Sequence, residues 1–357
     1  MSQPCKSPYL RRSLAGFAAY TPGEQPPPSD RLVKLNTNEN PYPPSPKVIE
    51  AMRGFDPDAL RRYPDPTFTA LRQAAGNLLG VPPEWVIAGN GSDELLAMVL
   101  RAFVDPGEVV AYPVPTYSLY PVLAEIEGAR VCECPAPMGG PKIEAVLEVP
   151  AKVTFIATPN APDGYLVGVE EIERLCKARV GIGVVVADEA YVDFSDGGAV
   201  GLVGEFENLL VTRTLSKSFS LAGLRLGIAV GQPSLLEPLW AVKDSYNLGA
   251  LPQALATAAL EDAEWMRANA RKIVTTRERT TEDLRKRGWR VYPSHANFIF
   301  AEPPGGNARD LYAALAERGV YVRYFSTPPL DKGLRISIGS PEQMGRLLEE
   351  IDSITLK

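Results

Sequence analysis

The stretch LLVTRTLSKSFSLAGLRLG, Leu209 to Gly227, opens on the end of an apolar strand and breaks into hydroxyl-bearing and small residues around one lysine, Lys217. A lysine held where a buried strand gives way to a loop is costly to desolvate, so it is either a solvated surface amine or one placed to react. The same texture recurs along the chain. WVIAGNG (85–91), VVAYPVPTY (109–117), VTFIATPN (153–160) and GIGVVVADEAYVDF (181–194) are short apolar strands that run into polar loops. Between them, DELLAMVLRAFV (93–104) and VEEIERLCKA (169–178) have helical spacing. Repetition of strand, loop and helix predicts an α/β fold, a mostly parallel sheet flanked by helices. In such sheets ligands sit at the carboxyl ends of the strands. Five strand ends carry polar residues: Gly89–Asp93, Pro113–Tyr117, Pro159–Gly164, Asp188–Tyr191 and Thr214–Lys217. They outline one crevice.

Near Trp265 the texture changes. EWMRANARKIVTTRERTTEDLRKRG (264–288) reads as one long charged helix stopped by Gly288. WRVYP, NFIFA, ARDLYAALAERG, VYVRYF, LRISIG and PEQMGRLLEEIDSI follow, a compact α+β unit. At the other end, prolines crowd GEQPPPSD (23–30) and ENPYPPSP (39–46), which predicts an extended arm. The expected division is an arm at 1–45 that joins the small domain, a large domain at 46–260 and a small domain at 261–357.

Composition narrows the chemistry. A net charge of -6 argues against a nucleic-acid or anionic-membrane partner. No apolar run approaches the ~20 residues of a membrane span. The first twenty residues mix charges with a short apolar patch, so no signal peptide and a cytoplasmic location are expected. The cysteines, Cys5, Cys132, Cys134 and Cys176, read as free thiols. Cys132-Glu133-Cys134 reads as alternate residues of a strand rather than a metal half-site, and no metal is expected. A single histidine, His295, removes most Ser-His-Asp and Cys-His mechanisms and the HExxH zincins. GNGSDE has glutamate at 94 where GxGxxG needs glycine, no GxxxxGK[ST] loop occurs, and Thr214 breaks the SxxK pattern before Lys217.

A reactive lysine fits better. Burial and cationic neighbours such as Arg225 would lower its pKa and let it form a Schiff base. Asp188, at a strand end, could keep a pyridine nitrogen protonated, and Tyr191 could hydrogen-bond a ring hydroxyl. Gly91, Ser92 and Asp93 start a helix whose free N–H groups would seat a phosphate beside Arg225, with Tyr117 stacked on a ring. Taken singly, each has an ordinary reading: a strand-end Asp caps a turn, a loop Tyr packs on its neighbours, a lysine is solvated. Their order and joint placement point to pyridoxal phosphate.

The chain resembles the fold-type I pyridoxal-phosphate aminotransferases, and within them it is similar to the histidinol-phosphate aminotransferases. YTPGEQP, LNTNENPY, RYPDP, GNGSDELL, PTYSLY, ADEAYVDF, RTLSKSFSLAGLRLG, KDSYN, PSHANFIF, VYVRYF and LRISIG carry the likeness from Tyr20 to Gly339. It implies a seven-stranded large domain, and a small domain built from both termini. It implies a homodimer with shared active sites and small-molecule substrates. Ping-pong amino transfer between L-histidinol phosphate and 2-oxoglutarate is the expected reaction. An aromatic aminotransferase or a phosphate-substrate decarboxylase on the same scaffold is the alternative.

By the same resemblance, Lys217 would hold the cofactor and move the Cα proton. Asp188 would hold the pyridine N–H, Tyr191 the ring oxygen, and Tyr117 would stack on the ring. Gly91, Ser92, Asp93, Ser216 and Arg225 would line the cofactor's phosphate seat, and Tyr63 would reach the cofactor of the neighbouring subunit. Arg335 would clamp the substrate carboxylate as a bidentate fork. Arg323 and Tyr20 would recognise the substrate phosphate, and Asn38 and Glu39 lie in the arm over the site. One stretch departs from the family pattern NNPTG: here it reads Asn160-Ala161-Pro162-Asp163-Gly164, so a donor to the ring oxygen is replaced by Ala161.

Overall fold

The structure, a computed structural model, describes residues 7–11, 14, 16–17, 19–20, 23–27, 29 and 31–355. Cys5 lies outside them; Cys132, Cys134 and Cys176 are free thiols. The arm contributes strand β1 (Val33–Lys34). The large sheet follows, from β2 (Val86–Gly89), β3 (Val109–Val114), β4 (Arg130–Pro135), β5 (Val153–Ala157), β6 (Val184–Asp188), β7 (Leu209–Thr214) and β8 (Gly227–Val230). Its order is β2-β8-β7-β6-β5-β3-β4. Every pairing from β7 to β4 is parallel, whereas β8 runs antiparallel to both β2 and β7.

Every residue of β5 and β6 is buried, as expected of strands covered on both faces. The pleat sends Phe155 and Val186 to one core, with Leu95 and Leu210, and Ile156 and Val185 to the other, with Leu175 and Val211. Because β3, β5, β6 and β7 are parallel, their carboxyl ends meet at one edge. Cys132 and Cys134 lie within β4, the strand reading of that stretch.

The C-terminal unit begins with the helix Ala263–Lys286, and Gly288 beyond it takes φ +80°. Strands β9 (Arg290–Val291), β10 (Phe298–Glu302), β11 (Val320–Tyr321), β12 (Arg323–Tyr324) and β13 (Leu334–Ser337) follow, with helices Ala308–Glu317 and Pro341–Thr355. Four of the strands form an antiparallel sheet, β12-β13-β10-β9. VYVRYF, which reads as one apolar run, is divided between two sheets: β11 pairs in parallel with β1 of the arm, and β12 pairs with β13. The arm is thereby tied to the far end of the chain.

Candidate active site

The strand ends and the arm enclose a cleft of about 700 Å³, ample for a cofactor and a small substrate. Lys217 lines it, three residues past β7, and its Nζ donates to the backbone oxygen of Thr37 at 3.2 Å. Burial, followed by Arg335 and to a smaller degree Arg225, brings its pKa down to about 8, against the pull of Glu39 and Asp93. Arg335, 118 positions away in sequence, is thus a stronger cationic neighbour than Arg225. The amine is nucleophilic near neutral pH.

Asp188, the last residue of β6, is 4% exposed. Its carboxylate accepts from the Tyr120 hydroxyl at 2.8 Å and from Thr212 Oγ1 at 3.1 Å. Burial nevertheless dominates and pushes its pKa up to about 6. An acid at that cost suits a site where a cationic N–H will meet it. Tyr120 and Thr212 were hidden in PTYSLY and LLVTRT; no local pattern distinguishes them from core residues. Three residues beyond Asp188, the Tyr191 hydroxyl accepts from Asn38 Nδ2 at 3.0 Å.

An anion seat lies next to Lys217. The helix Ser92–Phe103 starts after Gly91 (φ +80°) with no side-chain cap, so its first N–H groups face the cleft edge unsatisfied by a capping side chain. Arg225, itself at φ +53°, places Nη1 3.4 Å from Ser216 Oγ and Nη2 3.3 Å from Asp93 Oδ2. The φ of +80° at Gly91 favours glycine, and a Cβ there would stand 2.7 Å from Arg225 Nη2 and push the guanidinium aside. Tyr117 lines the cleft alongside, its hydroxyl donating to Asp93 Oδ1 at 3.1 Å and its ring edge-on to Tyr120 at 5.6 Å.

Two further arginines stand opposite each other. Arg323 and Arg335 are direct cross-strand partners in β12 and β13, and both line the cleft. Like charges in that register repel. Arg335 donates to the backbone oxygen of Asn36 at 2.9 Å, while its Nε is buried without a partner among the described residues. Burial and Arg323 both work against its charge, which an arginine keeps. Tyr20 also lines the cleft, its ring 6.0 Å from that of Tyr117. An anionic ligand would relieve the repulsion and satisfy the orphaned N–H.

Two residues lie elsewhere. Tyr63 is 81% exposed and stacks on Tyr246 at 4.5 Å, outside the cleft of its own chain. Asp163 is fully buried and turned from the cleft: it pairs with Lys142 at 2.6 Å and accepts from Asn160 Nδ2 at 2.7 Å. Ala161 lines the cleft and packs with Ala296, Phe298 and Tyr191. Among the described residues no group of His, Cys, Asp and Glu could hold a metal ion.

No one of these side chains would define the chemistry, but a lysine of lowered pKa beside an anion seat, on a sheet of this order, belongs to one class of enzyme. The chain is a member of the family Aminotransferase class I and II, which it matches over residues 30–351. It is 45% identical over 336 residues to histidinol-phosphate aminotransferase 1 of Trichormus variabilis, covering 94% of this chain and 95% of that one. The corresponding enzyme of Geotalea uraniireducens is 46% identical, with 97% and 99% covered. The crystal structure of histidinol-phosphate aminotransferase from Sinorhizobium meliloti, in complex with pyridoxal-5'-phosphate, superposes with a TM-score of 0.84 at 25% identity, covering 90% of this chain and 91% of that one.

The residues here fit that cofactor. The uncapped helix start with Arg225 and Ser216 suits a phosphate, the buried Asp188 a pyridine N–H, Tyr191 a ring oxygen and Lys217 an aldehyde carbon.

Proposed function

We propose that the chain is a pyridoxal-phosphate-dependent aminotransferase that moves the amino group of L-histidinol phosphate to 2-oxoglutarate, a step of histidine biosynthesis. The observation that carries the substrate choice is the opposed pair Arg323 and Arg335, which line the cleft together with Tyr20. Two cations face to face suit two substrates that bind in turn, each bringing an anion: the phosphate of histidinol phosphate for Arg323 in one half of the reaction, and the carboxylate of the oxo acid for Arg335 in the other. The histidinol-phosphate aminotransferases about 45% identical to the chain support the reading.

The bound cofactor supplies an electron sink for charge developing at the substrate Cα. The chain's residues do the rest. Lys217 holds the cofactor in place and, once free, takes the proton from the substrate Cα; a pKa near 8 suits an amine that must gain and lose protons at neutral pH. Asp188 keeps the ring nitrogen protonated, while Tyr120 and Thr212 orient its carboxylate. Ser216, Arg225 and the N–H groups from Ser92 onward hold the phosphate, and Tyr117 covers the ring. Asn38 and Glu39 place the arm across the cleft.

The proposal includes a homodimer in which Tyr63 reaches the partner's cofactor, and a cytoplasmic location, supported by the small soluble substrates. It also includes the division at 1–45, 46–260 and 261–357, supported by the pairing of β1 with β11.

Arg323→Gln tests the substrate. Loss of one charge-assisted contact is expected to lower kcat/KM for histidinol phosphate about ten- to a hundred-fold, with little change for phenylalanine as donor. Equal losses on both donors would assign Arg323 to the carboxylate or to the sheet, and favour an aromatic aminotransferase.

A further inference from the structure

Asn38 adopts φ +56° although it is not glycine, and it is 1% exposed. Asparagine enters this left-handed region more readily than other residues with a Cβ, and its hydrogen bonds can hold it in one orientation. Here they do. Its N–H donates to Ser337 Oγ at 2.9 Å, and its carbonyl accepts from Asn297 Nδ2 at 2.9 Å. The Ser337 hydroxyl, whose oxygen takes that N–H, spends its own proton on Asn38 Oδ1 at 2.8 Å. The other corner of the amide is therefore the NH2, and it donates to the Tyr191 hydroxyl at 3.0 Å. With one lone pair of that hydroxyl so occupied, its proton is left for the cleft. Ala161, a member of the apolar cluster against which Tyr191 packs, offers no side-chain donor there.

We propose that Asn38 is a positioning residue that aims and strengthens the Tyr191 hydroxyl as hydrogen-bond donor to the ring oxygen of bound pyridoxal phosphate, in a wall where Ala161 cannot donate. A hydrogen bond received by a hydroxyl makes it a better donor, since linked hydrogen bonds polarise one another. The direction is consistent: the Asn38 amide lowers the pKa of Tyr191, against burial, which raises it. The other charged groups facing this phenol are Arg335, Asp188, Asp93 and Lys217, the last with Nζ 5.8 Å from the ring centre; none of them belongs to the Asn38 network. Ser337 ends β13 and Asn297 precedes β10, so the arm and the C-terminal sheet together set the proton at Tyr191.

The inference rests on the cofactor reading, and the experiment separates the two. The visible absorbance of bound pyridoxal phosphate is titrated against pH in wild type, Asn38→Gly, Asn38→Asp and Ser337→Ala. Glycine keeps the backbone geometry and removes the donor. The titration midpoint is expected to rise by about half to one pH unit, because an ionised ring oxygen has lost support. Aspartate keeps the shape but accepts the Tyr191 proton itself, so its midpoint rises further. Ser337→Ala shifts the midpoint less, in the same direction. Asparagine at 161 supplies a new donor, and Asn38→Gly combined with Ala161→Asn brings the midpoint back down. A wild type that binds no pyridoxal phosphate would refute the cofactor reading. Normal binding, with Asn38→Asp and Ser337→Ala both at the wild-type midpoint, would overturn this inference alone, whether or not Asn38→Gly folds.

Discussion

A lysine with a pKa of about 8 is roughly a tenth neutral at pH 7, where an ordinary one is neutral in well under a thousandth of molecules. Capture of pyridoxal phosphate by the ligand-free protein should therefore accelerate with pH through about 8 and then level off, as followed by absorbance in stopped flow. Lys217→Ala should lose turnover by at least the 10²–10⁴-fold worth of a general base while keeping its fold; transamination near the wild-type rate would end the assignment. Asp188 makes the opposite trade. A carboxyl whose folded pKa is raised stabilises the fold while protonated. That contribution is fully present below about 3.8 and is lost as the pH climbs through about 6. The difference is roughly 3 kcal/mol. The ligand-free Asp188→Asn protein should thus gain on wild type in thermal stability between pH 4 and pH 7, yet bind pyridoxal phosphate less tightly. Parallel melting curves across that range would show that the buried acid carries no such cost.

Behind the cleft wall, the loop elements are braced by a buried network. Asn160 is fully buried: its Oδ1 accepts from Thr116 Oγ1 at 2.6 Å, and its Nδ2 donates to the backbone oxygen of Pro115 at 3.1 Å and to Asp163. Asp163 in turn takes Lys142 Nζ and the N–H of Gly139, at 2.6 and 2.9 Å. The loop of Tyr117 is therefore held by an ion pair that never reaches the cleft. Removing one partner leaves a buried charge unpaired, so Lys142→Met and Asp163→Asn should each cost about 3–5 kcal/mol, and the double variant much less than their sum. Additive losses in chemical denaturation would mean that the two charges do not depend on each other. None of this was legible in sequence, where Lys142 looks like a loop lysine and Asp163 like a turn residue. What could be read was whatever one element shows by itself. The apolar openings of β6 and β7, VVVA and LLV, run straight into polar residues, and so reveal Asp188, Lys217 and the crevice. Strand β8, four residues after a loop, and the division of VYVRYF between two sheets depend on partners remote in sequence. So does the orientation of Asn38, which is fixed by a serine 299 positions away.

Over the whole molecule, several large apolar side chains stand exposed. Tyr63 and Tyr246 stack in the open, with Leu60 64% exposed nearby in sequence, and Met52 is 51% exposed. The Tyr63 loop is not loose: the Asp65 carboxylate accepts from the N–H groups of Thr67 and Thr69, and Gln253 donates to the Asp65 carbonyl. A fixed loop presenting bare aromatics suits a protein contact better than solvent. If the contact is a two-fold dimer and Tyr63 serves the partner's cofactor, each site draws Lys217 from one chain and Tyr63 from the other. Lys217→Ala homodimers then lack the lysine in both sites, and Tyr63→Ala homodimers lack the tyrosine in both. A mixed dimer concentrates both lesions in one site and leaves the other intact. With subunits exchanged at random, half the dimers are mixed, and activity at limiting pyridoxal phosphate should recover to roughly a quarter of wild type. Were Tyr63 to serve its own chain, no mixed dimer would contain an intact site, and mixing would recover nothing. Sedimentation of the mixture confirms that dimers are present, so that a failure to recover points to the tyrosine and not to dissociation.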